Sequence, residues 1–132
     1  MSQYSSQLML DGGRIVAISC YSNTSLLPDF GAISPAKAAL ETLVKQLALS
    51  LAKLNITVNS ILPGLHESKS FSSHPRSKML LENAKNKTPG NTLINGKDIA
   101  DLTAFLCSNQ SKMIQGQNIC VDGGLSLIHP AS

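Results

Sequence analysis

The chain has 132 residues, of which 42% are hydrophobic and 14% charged, with a formal net charge of +3. That size reads as one domain over residues 1–132 with a core of its own. The charge is too modest for a nucleic-acid surface, and a loose basic cluster (Lys69, Arg76, Lys78, Lys85, Lys87) reads as a solvated face.

Residues 2–10 carry apolar side chains at weakly helical spacing and stop at Asp11-Gly12-Gly13, a helix-terminating turn. The β-branched run 14–19 then reads as a buried strand. Residues 21–29 are loop-like and close on Pro28. A long helix is expected over 35–54, with Ser34 as N-cap and Pro35 at the first helical position. Its apolar stripe is Leu40, Leu43 or Val44, Leu47 and Leu51. Ala39, Thr42, Gln46 and Leu49 form a second flank of smaller or mixed side chains that can meet another helix.

The second strand is expected over 56–62, ended by Pro63-Gly64, and residues 66–75 read as an extended polar loop. Helices follow over 78–87 and 97–107. Met79, Leu80, Leu81 and Ala84 cluster in the first, and Ile99, Leu102, Phe105 and Leu106 face inward in the second. The last strand is 118–122. This order predicts an α/β, truncated Rossmann-like fold with about three parallel strands, because strands joined through helices run parallel.

No apolar run approaches the roughly 18 residues of a membrane span. The stretch from Met1 to Asp11 lacks the basic start and apolar centre of a signal peptide, so a cytoplasmic address is expected. Cys20, Cys107 and Cys120 are odd in number and widely spaced. They read as buried reduced thiols, not as a zinc or disulfide framework. His66 and His74 have no ligand-spaced partner and read as surface residues. Asn59, on a strand, reads as a backbone hydrogen-bonding residue.

Four pieces occur in a telling order: Gly13-Arg14-Ile15-Val16-Ala17-Ile18-Ser19, Pro35-Ala36-Lys37-Ala38-Ala39-Leu40-Glu41, Ile56-Thr57-Val58-Asn59-Ser60, and Ile114-Gln115-Gly116-Gln117 leading to Val121-Asp122-Gly123-Gly124. Together they resemble the C-terminal half of short-chain dehydrogenase/reductases. Residues 80–89, with Phe105-Leu106-Cys107-Ser108 and Met113 to Gly116, narrow the resemblance to enoyl-acyl-carrier-protein reductases. The likeness is to the type III, NADPH-dependent kind, which reduce the double bond of a carrier-bound acyl chain.

The resemblance implies a glycine-rich turn after the first strand that cradles the dinucleotide pyrophosphate. The sequence holds neither Gly-x-Gly-x-x-Gly nor Gly-x-x-x-Gly-x-Gly. By the family pattern it starts inside the helix before the fifth strand, so no cofactor is expected on this chain alone. The resemblance also implies a tyrosine seven or four positions before the helix lysine. Lys37 is present, but those positions hold Phe30 and Ile33, which have no hydroxyl to donate. The assisting serine falls at Ser19 or Cys20. Ser68 stands near the family's cofactor carboxamide position, and Thr92 where relatives often have arginine. Phe30, Lys37, Ser19 and Cys20 therefore read as a degenerate catalytic set, with Lys37 and Ser68 vestigial for cofactor binding.

In the family, the helix matching 35–54 helps form a four-helix subunit interface. The expectation is a non-catalytic subunit that pairs through helix 35–54 with a full-length reductase paralogue, which would hold the NADPH. Acyl carrier protein is a further expected partner. Two alternatives are a reductase completed in trans by a cofactor-binding chain, and an acyl-chain or carrier-binding module using residues 65–89.

Overall fold

The computed structural model describes residue 4, residues 8–21 and residues 31–128. The first two strands, β1 (Gly13–Ile18) and β2 (Ile56–Pro63), are rich in β-branched residues that suit a pleated, packed surface. They pair in parallel, from Gly13 opposite Ile56 to Ile18 opposite Ile61. On the other side of β2 lies β3 (Asn118–Val121), also parallel, running from Ser60 opposite Asn118 to Pro63 opposite Val121. The order β1-β2-β3 gives the three-stranded parallel sheet expected from the sequence. As the central strand, β2 is buried along its whole length, whereas every residue of β1 keeps some exposure.

Between β1 and β2 runs helix α1 (Ile33–Leu51), which tightens into a 3₁₀ turn over Ala52–Leu54. It starts two residues earlier than its expected bounds. Ala32 occupies the cap without a side-chain bond, and Ser34 lies buried in the first turn instead of capping it. Pro35 fits there because first-turn N–H groups have no intrahelical acceptor to lose. Val44 and Ala48 pack on Ile56 and Val58, with Leu47 and Leu51 beside them. The stripe therefore runs through Val44 and not Leu43, which is 51% exposed.

Strand periodicity turns Thr57, Asn59 and Ile61 to the opposite face of the sheet. Helix α4 (Gly96–Cys107) packs against β1 and β2 and buries Leu106 completely. Its start is set by a reciprocal cap. Asn95 Oδ1 accepts from Lys97 N at 2.8 Å, and Asp98 Oδ2 accepts from Asn95 N at 2.8 Å. Phe105, expected on the inner face, is instead exposed, and so is Met79 of α3 (Ser77–Lys87). The expected loop 66–75 contains one helical turn, α2 (Lys69–Ser72), because the Ser68 hydroxyl accepts from Phe71 N at 3.2 Å.

Because β3 flanks only the carboxyl half of β2, side chains of the preceding segment complete the pairing upstream. Gln115 Oε1 accepts from Val58 N at 2.7 Å, and its Nε2 donates to Ala48 O at 2.9 Å and Ile56 O at 3.1 Å. Asn59 donates through Nδ2 to Ile114 O at 2.8 Å and accepts at Oδ1 from Gln117 N at 2.9 Å. Asn59 thus has the backbone-bonding role read from the sequence. Gly116 makes the turn with φ +68° and donates its N–H to Val58 O at 2.9 Å.

Candidate functional site

In open α/β sheets, ligands bind in the crevice beyond the carboxyl ends of the strands. Here that end holds a cavity of about 520 Å³. Its apolar wall includes Ile18, Ile33, Pro63, Leu65, Phe71 and Ile99. Ser19, Cys20 and Tyr21, at the end of β1, and His66, Ser68 and His74 bring polar groups to it. Gly64 lets the ends of β2 and β3 close, since a Cβ there would lie 2.7 Å from Asp122 Cβ and 2.9 Å from its Cα.

Of the residues predicted for catalysis, Ser19 and Cys20 line the cavity and Lys37 lies against the end of β1 beside them. Ser19 continues the parity of Ile15 and Ala17 toward α1, and its hydroxyl donates to Glu41 Oε1 at 2.5 Å. The other Glu41 oxygen accepts from Asn118 Nδ2 at 3.3 Å, and Ser60 Oγ donates to Asn118 Oδ1 at 2.6 Å. One carboxylate of α1 thereby ties together the end of β1 and the start of β3. Lys37 Nζ donates to Ile18 O at 2.8 Å, so this lysine caps the end of β1. Phe30 lies outside the described residues. Ile33 is one turn before Lys37 and lines the cavity with an aliphatic side chain.

Two sequence readings are corrected here. His66 and His74 are half-buried and line the cavity; they are not surface residues. Folding of 64–76 into a turn and a short helix, which polar composition alone does not reveal, brings them inward. His66 Nδ1 lies 3.0 Å from Gly64 O, while His74 stacks on Phe71 at 6.1 Å and accepts from Arg76 N at 3.2 Å. The three cysteines are free thiols as read, but Cys107 and Cys120 are exposed and only Cys20 is half-buried. Thr92 is exposed and takes no part in the cavity.

Tyr21 was not singled out by its spacing, yet it is 7% exposed and lines the cavity. Burial raises its pKa, with the Asp122 carboxylate and the Cys20 and Cys120 thiols adding to the effect. The phenol therefore stays neutral through the physiological range. Burial alone would raise Asp122 as well. The hydrogen bonds from Ser126, including its N–H at 2.7 Å, and from Gly124 N at 2.8 Å outweigh it and hold the carboxyl below its ordinary 3.8.

The sign for stability follows directly. A depressed folded pKa contributes stability above about pH 3.8 that is lost as pH falls through the lower folded value. Urea midpoints measured from pH 6 down to pH 2.5 are expected to show this loss in the natural chain. Asp122→Asn should remove that part of the slope while leaving the rest of the acid dependence in place.

The residues described do not form a dinucleotide cradle. Such a cradle needs glycines between a strand and the N-terminus of a helix. The glycines with positive φ, Gly12, Gly116, Gly123 and Gly124, flank β1 and β3, and the last two lead only into a 3₁₀ turn over Leu125–Leu127. Among the described residues no group of three or more metal-ligating side chains exists, and no helix is long and apolar enough to cross a membrane.

Residues 1–126 match the family described as Enoyl-(Acyl carrier protein) reductase. The chain belongs to this family of short-chain dehydrogenase/reductases. It is 33% identical over 135 residues to 1-cyclohexenylcarbonyl-CoA reductase of Streptomyces collinus, covering 98% of this chain and 47% of that protein. It is 32% identical to the enoyl-[acyl-carrier-protein] reductase [NADH] FabI of Bacillus subtilis, covering 91% of this chain and 46% of that protein. The Bacillus cereus enoyl-acyl carrier protein reductase solved with NADP+ superposes with a TM-score of 0.92 at 25% identity, covering 97% of this chain and 50% of that one. The chain thus spans about half the length of the enoyl reductases it matches.

Proposed function

We propose that the chain is a non-catalytic, enoyl-reductase-like subunit that pairs with a full-length short-chain reductase acting on carrier-bound acyl chains. NADPH is then held by the partner, and acyl carrier protein is presented to the assembled pair. The observation that carries this reading is the unpartnered face of α1. Leu49 is 77% exposed and Leu43 51%, with Ala39, Thr42 and Gln46 exposed around them. Apolar patches of this kind favour a protein partner over water. The outer position of β1 among the described strands supports the same reading, since its unpaired edge can accept another strand.

Absence of catalysis rests on Phe30 and Ile33, which replace the donor, and on the commitments of Ser19 to Glu41 and Lys37 to Ile18 O. The same commitments weigh against completion in trans as an active reductase. The test is purification of the tagged chain at native expression, with mass determination and identification of what travels with it. A stoichiometric short-chain reductase is expected, and Leu43→Glu with Leu49→Glu should release it while the chain keeps its circular dichroism. A folded monomer with no reductase partner overturns the reading.

A further inference from the structure

Asn95 is the only asparagine in the sequence that is followed by glycine, and it stands where the chain enters α4. An asparagine amide is open to attack by the backbone nitrogen of the next residue, and glycine has no Cβ to crowd that approach. Every other asparagine precedes a residue with a side chain.

Nothing in the fold asks for glycine at position 96. Gly96 is not among the glycines with positive φ, and a Cβ built on it would meet nothing within 4 Å. Alanine would be the more stable choice in a helix. As the first residue of α4, Gly96 has no intrahelical acceptor for its N–H, and it is exposed to water.

The reactive pair is nevertheless restrained by the reciprocal cap. Asn95 Oδ1 accepts from Lys97 N at 2.8 Å, and Asn95 N donates to Asp98 Oδ2 at 2.8 Å. A five-membered imide needs Asn95 Cβ and Gly96 N eclipsed about the Cα–C bond, whereas the observed ψ of 176° leaves them staggered. Closure therefore requires rotation about that bond, which carries Gly96 and Lys97 away from the Asn95 side chain and breaks the cap.

We propose that Asn95 is a site of spontaneous deamidation whose rate is set by opening of the first turn of α4. Gly96 N bonds to Asn95 Cγ as the Cγ–Nδ2 bond breaks, and ammonia leaves with the proton that Gly96 N gives up. Water then opens the imide. Cleavage of the bond from Gly96 N to Cγ yields aspartate, and cleavage of its bond to the backbone carbon yields isoaspartate. Aspartate keeps an acceptor for Lys97 N, whereas isoaspartate routes the chain through Cγ and breaks the cap. Because α4 packs on β1 and β2 and Ile99 lines the cavity, a change at residue 95 reaches the cavity wall.

The test follows the 132-residue chain by peptide mass mapping during incubation in mildly alkaline buffer. Conversion at residue 95 is expected ahead of every other asparagine, and it should be lost in Gly96→Ala. Asp98→Ala removes the acceptor for Asn95 N and should speed conversion about fivefold, the effect of losing a cap. Asp98→Asn keeps an acceptor there and should stay near the natural rate, while the natural chain unfolded in urea should convert faster than either. Earlier conversion at another asparagine, persistence in Gly96→Ala, equal rates in the natural chain and Asp98→Ala, or no gain on unfolding overturns the proposal.

Discussion

Gln115→Ala is expected to lower the unfolding free energy by about 2–4 kcal/mol, the cost of several buried backbone groups losing a shared partner. The side chain is joined to three backbone groups: Val58 N, Ala48 O and Ile56 O. Val58 is 0% exposed, so its N–H has no water to turn to once Oε1 is gone. Ala48 and Ile56 lie in the same core, so α1 also loses one of its ties to β2. Gln115→Glu should be about as damaging, because a carboxylate would face the carbonyls of Ala48 and Ile56 without a proton to donate. Urea unfolding with an unchanged slope and a lowered midpoint checks this. A midpoint equal to that of the natural chain would show that the segment 114–117 is held by something else.

Gly64→Ala is expected to cost about 1–3 kcal/mol, the usual range for forcing a methyl group into a packed site. The added Cβ would stand 2.7 Å from Asp122 Cβ and 2.9 Å from Asp122 Cα. Backbone cannot swing aside as a flexible side chain can. The ends of β2 and β3 must therefore part, weakening the bond from Gly64 N to Val121 O at 2.8 Å. Asp122 would carry the turn over Leu125–Leu127 with it, since it accepts from Gly124 N and Ser126 N. The variant should show a lowered thermal midpoint and amide shifts concentrated at residues 121–127. Shifts spread evenly through the chain would contradict the local origin of the effect.

The elements were legible because their hydrophobic periods and their glycine and proline boundaries agree. Each strand boundary differs from expectation by at most one residue, and α3 and α4 each start one residue early. Ambiguity arose where adjacent residues offered the same chemistry. Leu43 and Val44 are both apolar and neighbouring, and only the seating of α1 on Ile56 and Val58 decides between them.

The sequence singles out Ser19, Cys20, Lys37 and Ser68 but not how they are arranged. That Lys37 turns to Ile18 O and Ser19 to Glu41 depends on how α1 lies across the sheet, which no spacing states. The roles of Gln115 and Gly64 follow from where β3 begins and ends, a tertiary fact. Tyr21 enters the cavity because β1 stops at Ile18, and its side chain carries no periodic signature.

The assembly reading depends on two surfaces being covered together: the outer edge of β1 and the exposed face of α1. Hydrogen–deuterium exchange of the chain alone and in its purified complex tests this most directly. The expected result is faster exchange across residues 13–18 and 43–51 than across β2 in the isolated chain and joint slowing of both segments in the complex, with β2 protected in both. Equal protection of both segments in the isolated chain, with no change on adding the reductase, would contradict it.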